Sequence, residues 1–89
     1  MVSTTVVVPC FNESLRLKVS EFVDWLAHEK ATHLLFVDDG STDGTAAMLQ
    51  RIASQAPAHR VSVLVLERNE GKAEAVRRGM LQAIESTIK

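Results

Sequence analysis

The sequence holds a single cysteine, Cys10, among 89 residues, which excludes an internal disulfide and a zinc site built on cysteines. It has almost no net charge: 10 Lys and Arg stand against 11 Asp and Glu, a formal −1. Such a balance gives no field to attract nucleic acid or an anionic membrane surface. No apolar run approaches the ~20 residues that cross a bilayer. The N-terminal "TTVVVP" is too short for a signal-peptide core and has no basic residue before it. These absences give the expectation of a soluble chain in a reducing, cytoplasmic setting. Ser-His-Asp and metal-ligand groupings are also missing, and none of His28, His33 or His59 lies beside Cys10 to serve it as a base. Cys10 therefore reads as small loop packing, and the histidines as surface or helix-end residues. What is present, 46% hydrophobic and 24% charged residues, is an ordinary globular composition of a length for one domain.

Three β-branched or aliphatic runs stand out, at Thr4 to Val8, Leu34 to Val37 and Val61 to Leu66. Each is continuous rather than alternating, the pattern of strands covered on both faces. Three segments with helical spacing separate and follow them. Leu15, Val19, Phe22, Val23 and Leu26 mark the first, with Phe22 and Trp25 expected in the core. The second runs from about Thr45 to Gln55 and is closed by Ala56-Pro57. The third carries Ala73, Val76, Met80, Ile84 and Ile88 near one stripe. The order β-α-β-α-β-α implies parallel strands joined by right-handed crossovers, a doubly wound, Rossmann-like α/β/α arrangement. In such sheets ligands bind outside the carboxyl ends of the strands. There the sequence places "PCFNE", "DDGSTDG" and "ERNEGKAE".

In the second of these, Ser41 or Thr42 can cap the following helix, Asp43 favours its positive end, and Gly40 and Gly44 permit the turn. That leaves adjacent carboxylates at a strand exit, where they repel. Asp39, on the ligand edge, reads as a ligand group, and Asp38 as a residue that shapes the loop together with Gly40, Ser41 and Asp43. A calcium loop is matched in part but has Gln50 where a bidentate Glu belongs and a strand where a helix belongs. "NEGKAEA" has a glycine and a lysine opening a helix, a geometry that favours anions. It lacks the hydroxyl and the first glycine of a phosphate-binding P-loop, having Ala73 and Leu66 there. Lys72 is read either as an anion contact or as a solvated lysine at a helix start. In "PCFNE", Pro9 stops the strand ladder and Asn12 or Ser14 can cap the first helix. Phe11 either stacks on a nucleobase or packs beneath the loop, and Glu13 beside it can accept from base or ribose donors. Arg16, Lys18, Arg77 and Arg78 read as solvated faces.

Taken together, "VVVPCFNE" at 6–13, "LLFVDDGSTDGT" at 34–45 and "RNEGKAEAVRRGM" at 68–80 resemble the family-2 inverting glycosyltransferases, whose fold is the GT-A type. The phrasing is most similar to members that charge a polyprenyl or dolichyl phosphate with a sugar. The resemblance implies a nucleotide site: Pro9, Cys10 and Phe11 against the base, Glu13 beside base and ribose, Asp39 accepting a hydrogen bond from the base, and Asn69, Gly71 and Lys72 near the ribose and diphosphate. Phe11 stands where the family usually has Tyr, and Ala73 where Gly is frequent. Family members continue into a fourth strand with an Asp-x-Asp motif that holds Mg²⁺ or Mn²⁺, and then supply a catalytic base and an acceptor site. The resemblance thus implies that residues 1–89 are one domain, the N-terminal nucleotide-binding part of a glycosyltransferase. Its catalytic residues and metal ligands would lie outside the chain, which would be inactive alone. Strand one would then be an open edge, inviting self-association, and the complete protein would act at the cytoplasmic face of a membrane. The alternative is a stand-alone, non-catalytic nucleotide- or metal-binding α/β module.

Overall fold

The computed structural model describes residues 4–29, 31–57 and 59–88, and side chains within these other than those of 86–88. The elements run β1 (Thr4–Cys10), α1 (Val19–His28), β2 (Thr32–Asp38), α2 (Thr45–Gln55), β3 (Val61–Val65) and α3 (Lys72–Ile88). The three strands form one parallel sheet in the order β1-β2-β3, with Val8 opposite Phe36 and Phe36 opposite Val63. Fully parallel pairing through helical crossovers is what the alternation in the sequence requires.

Side chains on the two faces of the sheet build two cores. Cys10, Leu34 and Phe36 pack with Leu26 of α1 and Leu49 and Ile52 of α2. Phe22 stands edge-on to Phe36, with ring centroids 5.4 Å apart. On the other face Leu35, Val37 and Leu66 meet Ala75 of α3. Only β2, at the centre, is covered on both faces along nearly all its length; β1 is exposed over Thr4–Val6 and β3 is half-buried. The continuous apolar runs in those two outer strands do not report two-sided burial.

The limits of all three strands differ from the sequence reading, and β2 runs Thr32–Asp38 rather than Leu34 to Val37. β1 continues through Pro9 to Cys10 in register with Val37 and Asp38. The Thr4 amide donates to Ala31 and the Cys10 carbonyl accepts from Asp39, so the even residues of β1 bond to β2. Thr5, Val7 and Pro9 turn their backbone groups to the open edge, where the missing N–H of proline disturbs nothing. β3 ends at Val65, one residue early, although the Leu66 amide still donates to the Asp38 carbonyl.

α1 begins at Val19, so Leu15 lies in the preceding turn, fully exposed, and no side chain caps the helix. Trp25 is 46% exposed rather than in the core. The larger correction concerns α3. Ala73, Met80 and Ile84 face outward, and the buried residues of the helix are Ala75 and Gly79, with Ala83 half-buried behind them; the side chain of Ile88 lies outside the described ones. A Cβ on Gly79 would sit 2.6 Å from Val7 Cγ1 and 2.8 Å from Val37 Cγ2. The helix lies on β1 and β2 through small residues because large ones would hold it away from the sheet. Periodicity of bulky residues therefore picked the wrong side.

Arg60, which precedes β3, ties the layers at the amino end. Its guanidinium donates to the carbonyls of Thr32 (2.7 Å), Leu26 (3.4 Å) and Glu29, closing the C-terminus of α1 onto the start of β2. His33 Nδ1 lies 2.9 Å from the His59 carbonyl and its Nε2 2.9 Å from Ser62 Oγ, and His28 bonds back to the Asp24 carbonyl at its helix end.

Gly79→Val should destabilise the chain by about 1–3 kcal/mol, since two stiff β-branched side chains block relief of the overlap. Met80→Ser, on the outward face, should stay within about 0.5 kcal/mol of wild type. Urea melts of the two variants check this; equal losses would contradict the packing described.

Candidate functional site

The loops at 11–18, 39–44 and 66–71 leave the carboxyl ends of the strands and are bonded to one another. Between the first two, the Asn12 amide donates to Ser41 Oγ (2.9 Å) and the Thr42 amide to Asn12 Oδ1 (2.9 Å). The Glu13 amide donates to Thr45 Oγ1 (2.8 Å), and the Ser14 hydroxyl to Asp43 Oδ2 (2.7 Å). Asn12 adopts φ 50°, a left-handed conformation that asparagine tolerates. Neither Asn12 nor Ser14 caps α1: both bridge to the second loop instead.

Neither Ser41 nor Thr42 caps α2, whose N-cap is Gly44. Ser41 donates to Asp38 Oδ1, and the buried Asp38 carbonyl also accepts from Leu66. Asp43 Oδ1 accepts from the Thr45 amide (2.9 Å) and hydroxyl (2.5 Å). These Thr45 bonds, with those from Ser14, hold the Asp43 carboxyl down at about 2. Asp38, Gly40, Ser41 and Asp43 all take part in loop structure, each through a specific contact.

Asp39 reaches the third loop. It is only 3% exposed, and its carboxylate accepts from the Glu70 amide (2.8 Å), the Gly71 amide (3.1 Å) and Asn69 Nδ2 (3.1 Å). Gly40 has φ +69°, and a Cβ there would fall 2.2 Å from the Arg68 carbonyl carbon, so the two loops touch backbone to backbone.

Pro9, Cys10, Phe11, Glu13, Asp39 and Lys72 together line a cleft of about 180 Å³ at this edge. Asn69 and Gly71 stand behind it through Asp39. Phe11 is 44% exposed at the mouth, not packed beneath the loop. Glu13 Oε1 pairs with Arg16 at 2.6 Å on the outside of its turn. Burial, then the Glu13 and Asp38 charges, pushes the Cys10 thiol up to about 11, so it stays protonated and unreactive at neutral pH. The volume is below the several hundred Å³ of a complete small-molecule site, so it accepts part of a ligand. A larger hollow of about 410 Å³ beside α1 is lined by Glu21, Phe22, Trp25 and Leu34. Its described lining offers one indole N–H and one carboxylate, whereas the smaller cleft combines a ring, carboxylates, an ammonium and a helix start.

Some of the other charges are paired on the surface. Glu74 lies between Arg77 (2.6 Å) and Arg78 (2.9 Å), which hold its carboxyl down at about 2. Among the described residues no three His, Cys, Asp or Glu side chains converge to hold a metal ion. Arg60, Thr45 and Ser14 carry structural roles that the sequence reading passed over or misassigned, because their partners lie 28–34 residues away along the chain.

Because the folded Asp43 carboxyl is depressed below its ordinary 3.8, its stabilisation is complete above that value and disappears as pH falls through about 2. Asp43→Asn should melt a few degrees lower than wild type at neutral pH, and the gap should close between about pH 4 and about pH 2. A gap independent of pH, in parallel melting curves, would contradict the assignment.

Comparison with known proteins gives this geometry a lineage. Residues 5–86 match the family described as glycosyl transferase family 2. The chain is 33% identical over 85 residues to a dolichyl-phosphate beta-glucosyltransferase of Dictyostelium discoideum, covering 86% of this chain and 26% of that protein. It is 34% identical over 89 residues to an undecaprenyl-phosphate 4-deoxy-4-formamido-L-arabinose transferase of Pectobacterium carotovorum, covering 97% and 27%. Among solved structures it is similar to a mannosyltransferase from Pyrobaculum calidifontis in complex with GDP-Man and Mn²⁺. That match has a TM-score of 0.70 and 26% identity, over 89% of this chain and 24% of that one. The chain thus spans about a quarter of the length of the curated relatives it matches. Its three parallel strands, alternating helices and three strand-end motifs are those of a GT-A glycosyltransferase, and the chain belongs to glycosyl transferase family 2.

Proposed function

We propose that residues 1–89 are the nucleotide-binding part of a glycosyltransferase that passes a sugar from a nucleoside-diphosphate sugar to a polyprenyl phosphate. The observation that carries the reading is the cleft shared by Phe11, Glu13, Asp39 and Lys72 at the carboxyl edge of the sheet. The relatives named for dolichyl and undecaprenyl phosphate support the acceptor, and the solved complex with GDP-Man supports the donor.

In this reading the exposed Phe11 ring stacks on the base and Glu13 accepts from base or ribose donors. Lys72 and the first N–H groups of α3, which have no acceptor within the helix, face the diphosphate. The reaction is a displacement at the anomeric carbon: the acceptor oxygen forms the new bond, and the nucleoside diphosphate leaves with the bonding pair. A phosphate acceptor is already an anion and needs little help from a base. Among the described residues Asp39 and Asp43 are engaged by loop donors and Asp38 by Ser41. Metal ligands and the catalytic groups belong to the remaining part of the complete enzyme, and the 89-residue chain alone is inactive. Its setting is the cytoplasmic face of a membrane, although no helix among the described residues is itself long and apolar enough to cross one.

Titration of the labelled chain with uridine or guanosine diphosphate should shift the amides of Phe11, Asp39, Gly71 and Lys72 together, with affinity on the order of 1 mM. Lys72→Ala should weaken it. Shifts confined to the Trp25 hollow, or none at tens of millimolar, would refute the reading.

The chain also pairs with itself through β1. Its support is an apolar, uncharged strand bonded on one side only, with the backbone groups of Thr5 and Val7 turned outward. Sedimentation at micromolar concentration should show a dimer that Val6→Lys dissociates, Val6 being 40% exposed beside that edge. A monomer throughout would refute the pairing.

A further inference from the structure

We infer that the buried Thr45 is a positioning residue for the base and ribose end of the cleft, acting through the backbone amide of Glu13. This role rests on the nucleotide reading above and adds one residue to it.

In the proposed site the Phe11 ring and the Glu13 carboxylate meet the base and ribose, so the course of the backbone through residues 10–13 decides where both groups stand. Cys10 is paired with Asp38 at the end of β1, and its carbonyl accepts from the Asp39 amide. After Cys10 the strand has ended, and the chain depends on loop contacts. The Glu13 carbonyl accepts from the Arg16 and Leu17 amides at 2.9 Å, which closes its own turn without joining it to the sheet. The joint to the second loop is made by Asn12, by Ser14 and by the Glu13 amide, which donates to Thr45 Oγ1 at 2.8 Å.

These three anchors differ in how far water can replace them. The bonds of Asn12 and Ser14 lie in exposed surroundings, where water competes for each partner. Thr45 is 0% exposed, so its hydroxyl oxygen is shut off from solvent and receives the Glu13 amide instead. A hydroxyl has one proton to give. That proton goes to Asp43 Oδ1 at 2.5 Å, and the Asp43 carboxyl, held down at about 2, is ionised at neutral pH to receive it. The lone pairs of Thr45 Oγ1 are thereby left for Glu13. Thr45 is also the first residue of α2, a helix with Leu49 and Ile52 in the core. The amide is thus fastened to a rigid element rather than to another loop.

The experiment titrates uridine diphosphate and guanosine diphosphate into the labelled wild-type chain, Thr45→Val and Thr45→Ser. Valine keeps the shape of threonine and removes the hydroxyl, whereas serine keeps the hydroxyl and removes the methyl group. Read from the Phe11 amide, nucleotide affinity should fall about fivefold in Thr45→Val, the effect of one hydrogen bond. In Thr45→Ser it should stay within about twofold of wild type. Amide hydrogen exchange in Thr45→Val should accelerate about tenfold more at Glu13 than at Glu70 and Gly71, whose bonds hold the third loop. Equal affinity in wild type and Thr45→Val would overturn the role of Thr45 and leave the nucleotide reading standing. Equal losses in both variants would overturn it as well, because they make the packing of the methyl group responsible and not the hydroxyl. Exchange rising alike at Glu13, Glu70 and Gly71 would do the same, since it marks a general loss of stability. A wild-type chain that binds neither nucleotide overturns the nucleotide reading and this refinement with it. If Thr45→Val does not fold, Asp43→Ala decides, since it keeps Thr45 but removes the acceptor for its proton. Nucleotide affinity should then fall about threefold, and an unchanged value sinks the proposal.

Discussion

A carboxylate almost wholly removed from water is costly unless hydrogen bonds replace the water, and the Asp39 carboxylate is held by three N–H groups from one loop. The arrangement of the carboxyl edge follows from that constraint. Gly40 must follow Asp39, because only a glycine lets the second loop reach the third. Asp38 turns instead to Ser41, whose hydroxyl also receives the Asn12 amide of the first loop. Asp43 binds Ser14 and Thr45. The three carboxylates of "DDGSTDG" are thus separated by function: one binds each neighbouring loop and one closes its own. Their mutual repulsion is offset because each faces a different set of donors.

The second determinant is the change of side made by α3. The crossovers through α1 and α2 lie on one face of the sheet, and the chain then returns across β2 and β1 on the other. The loop that leads to α1 and the loop that leads to α3 therefore diverge, and the crevice between them is where open α/β sheets bind ligands. Phe11 and Glu13 come from one side of that crevice and Lys72 from the other. The return is possible because Ala75, Gly79 and Ala83 let the helix lie close to Val7 and Val37. The same geometry turns Met80, Leu81 and Ile84 outward and leaves β1 bonded on one side.

Much of this was legible from residue types. The element order and parallel pairing follow from alternating apolar runs and helical segments, and residues from "PCFNE", Asp39 and Lys72 do meet in one cleft at the carboxyl ends of the strands. The parts that were not legible share a physical cause. Bulk was taken as the mark of burial, yet α3 buries glycine and alanine while Met80 and Ile84 stay exposed, and Trp25 is half in solvent. Caps were sought locally, yet Asn12, Ser14 and Ser41 bond across loops about 30 residues apart. Arg60, which closes α1 onto β2, has its partners in carbonyls that carry no residue signature. Contacts of that kind depend on where the backbone goes and cannot be read from composition or spacing.

The claim on which the account turns is that a nucleotide lies between Phe11 and Lys72, not in the larger apolar hollow beside α1. Intermolecular nuclear Overhauser effects between the chain and a nucleoside diphosphate measure this directly. The account predicts contacts from the base protons to the Phe11 ring and from the ribose toward Gly71 and Lys72. Contacts from the base to the Trp25 indole, with none to Phe11, would contradict it.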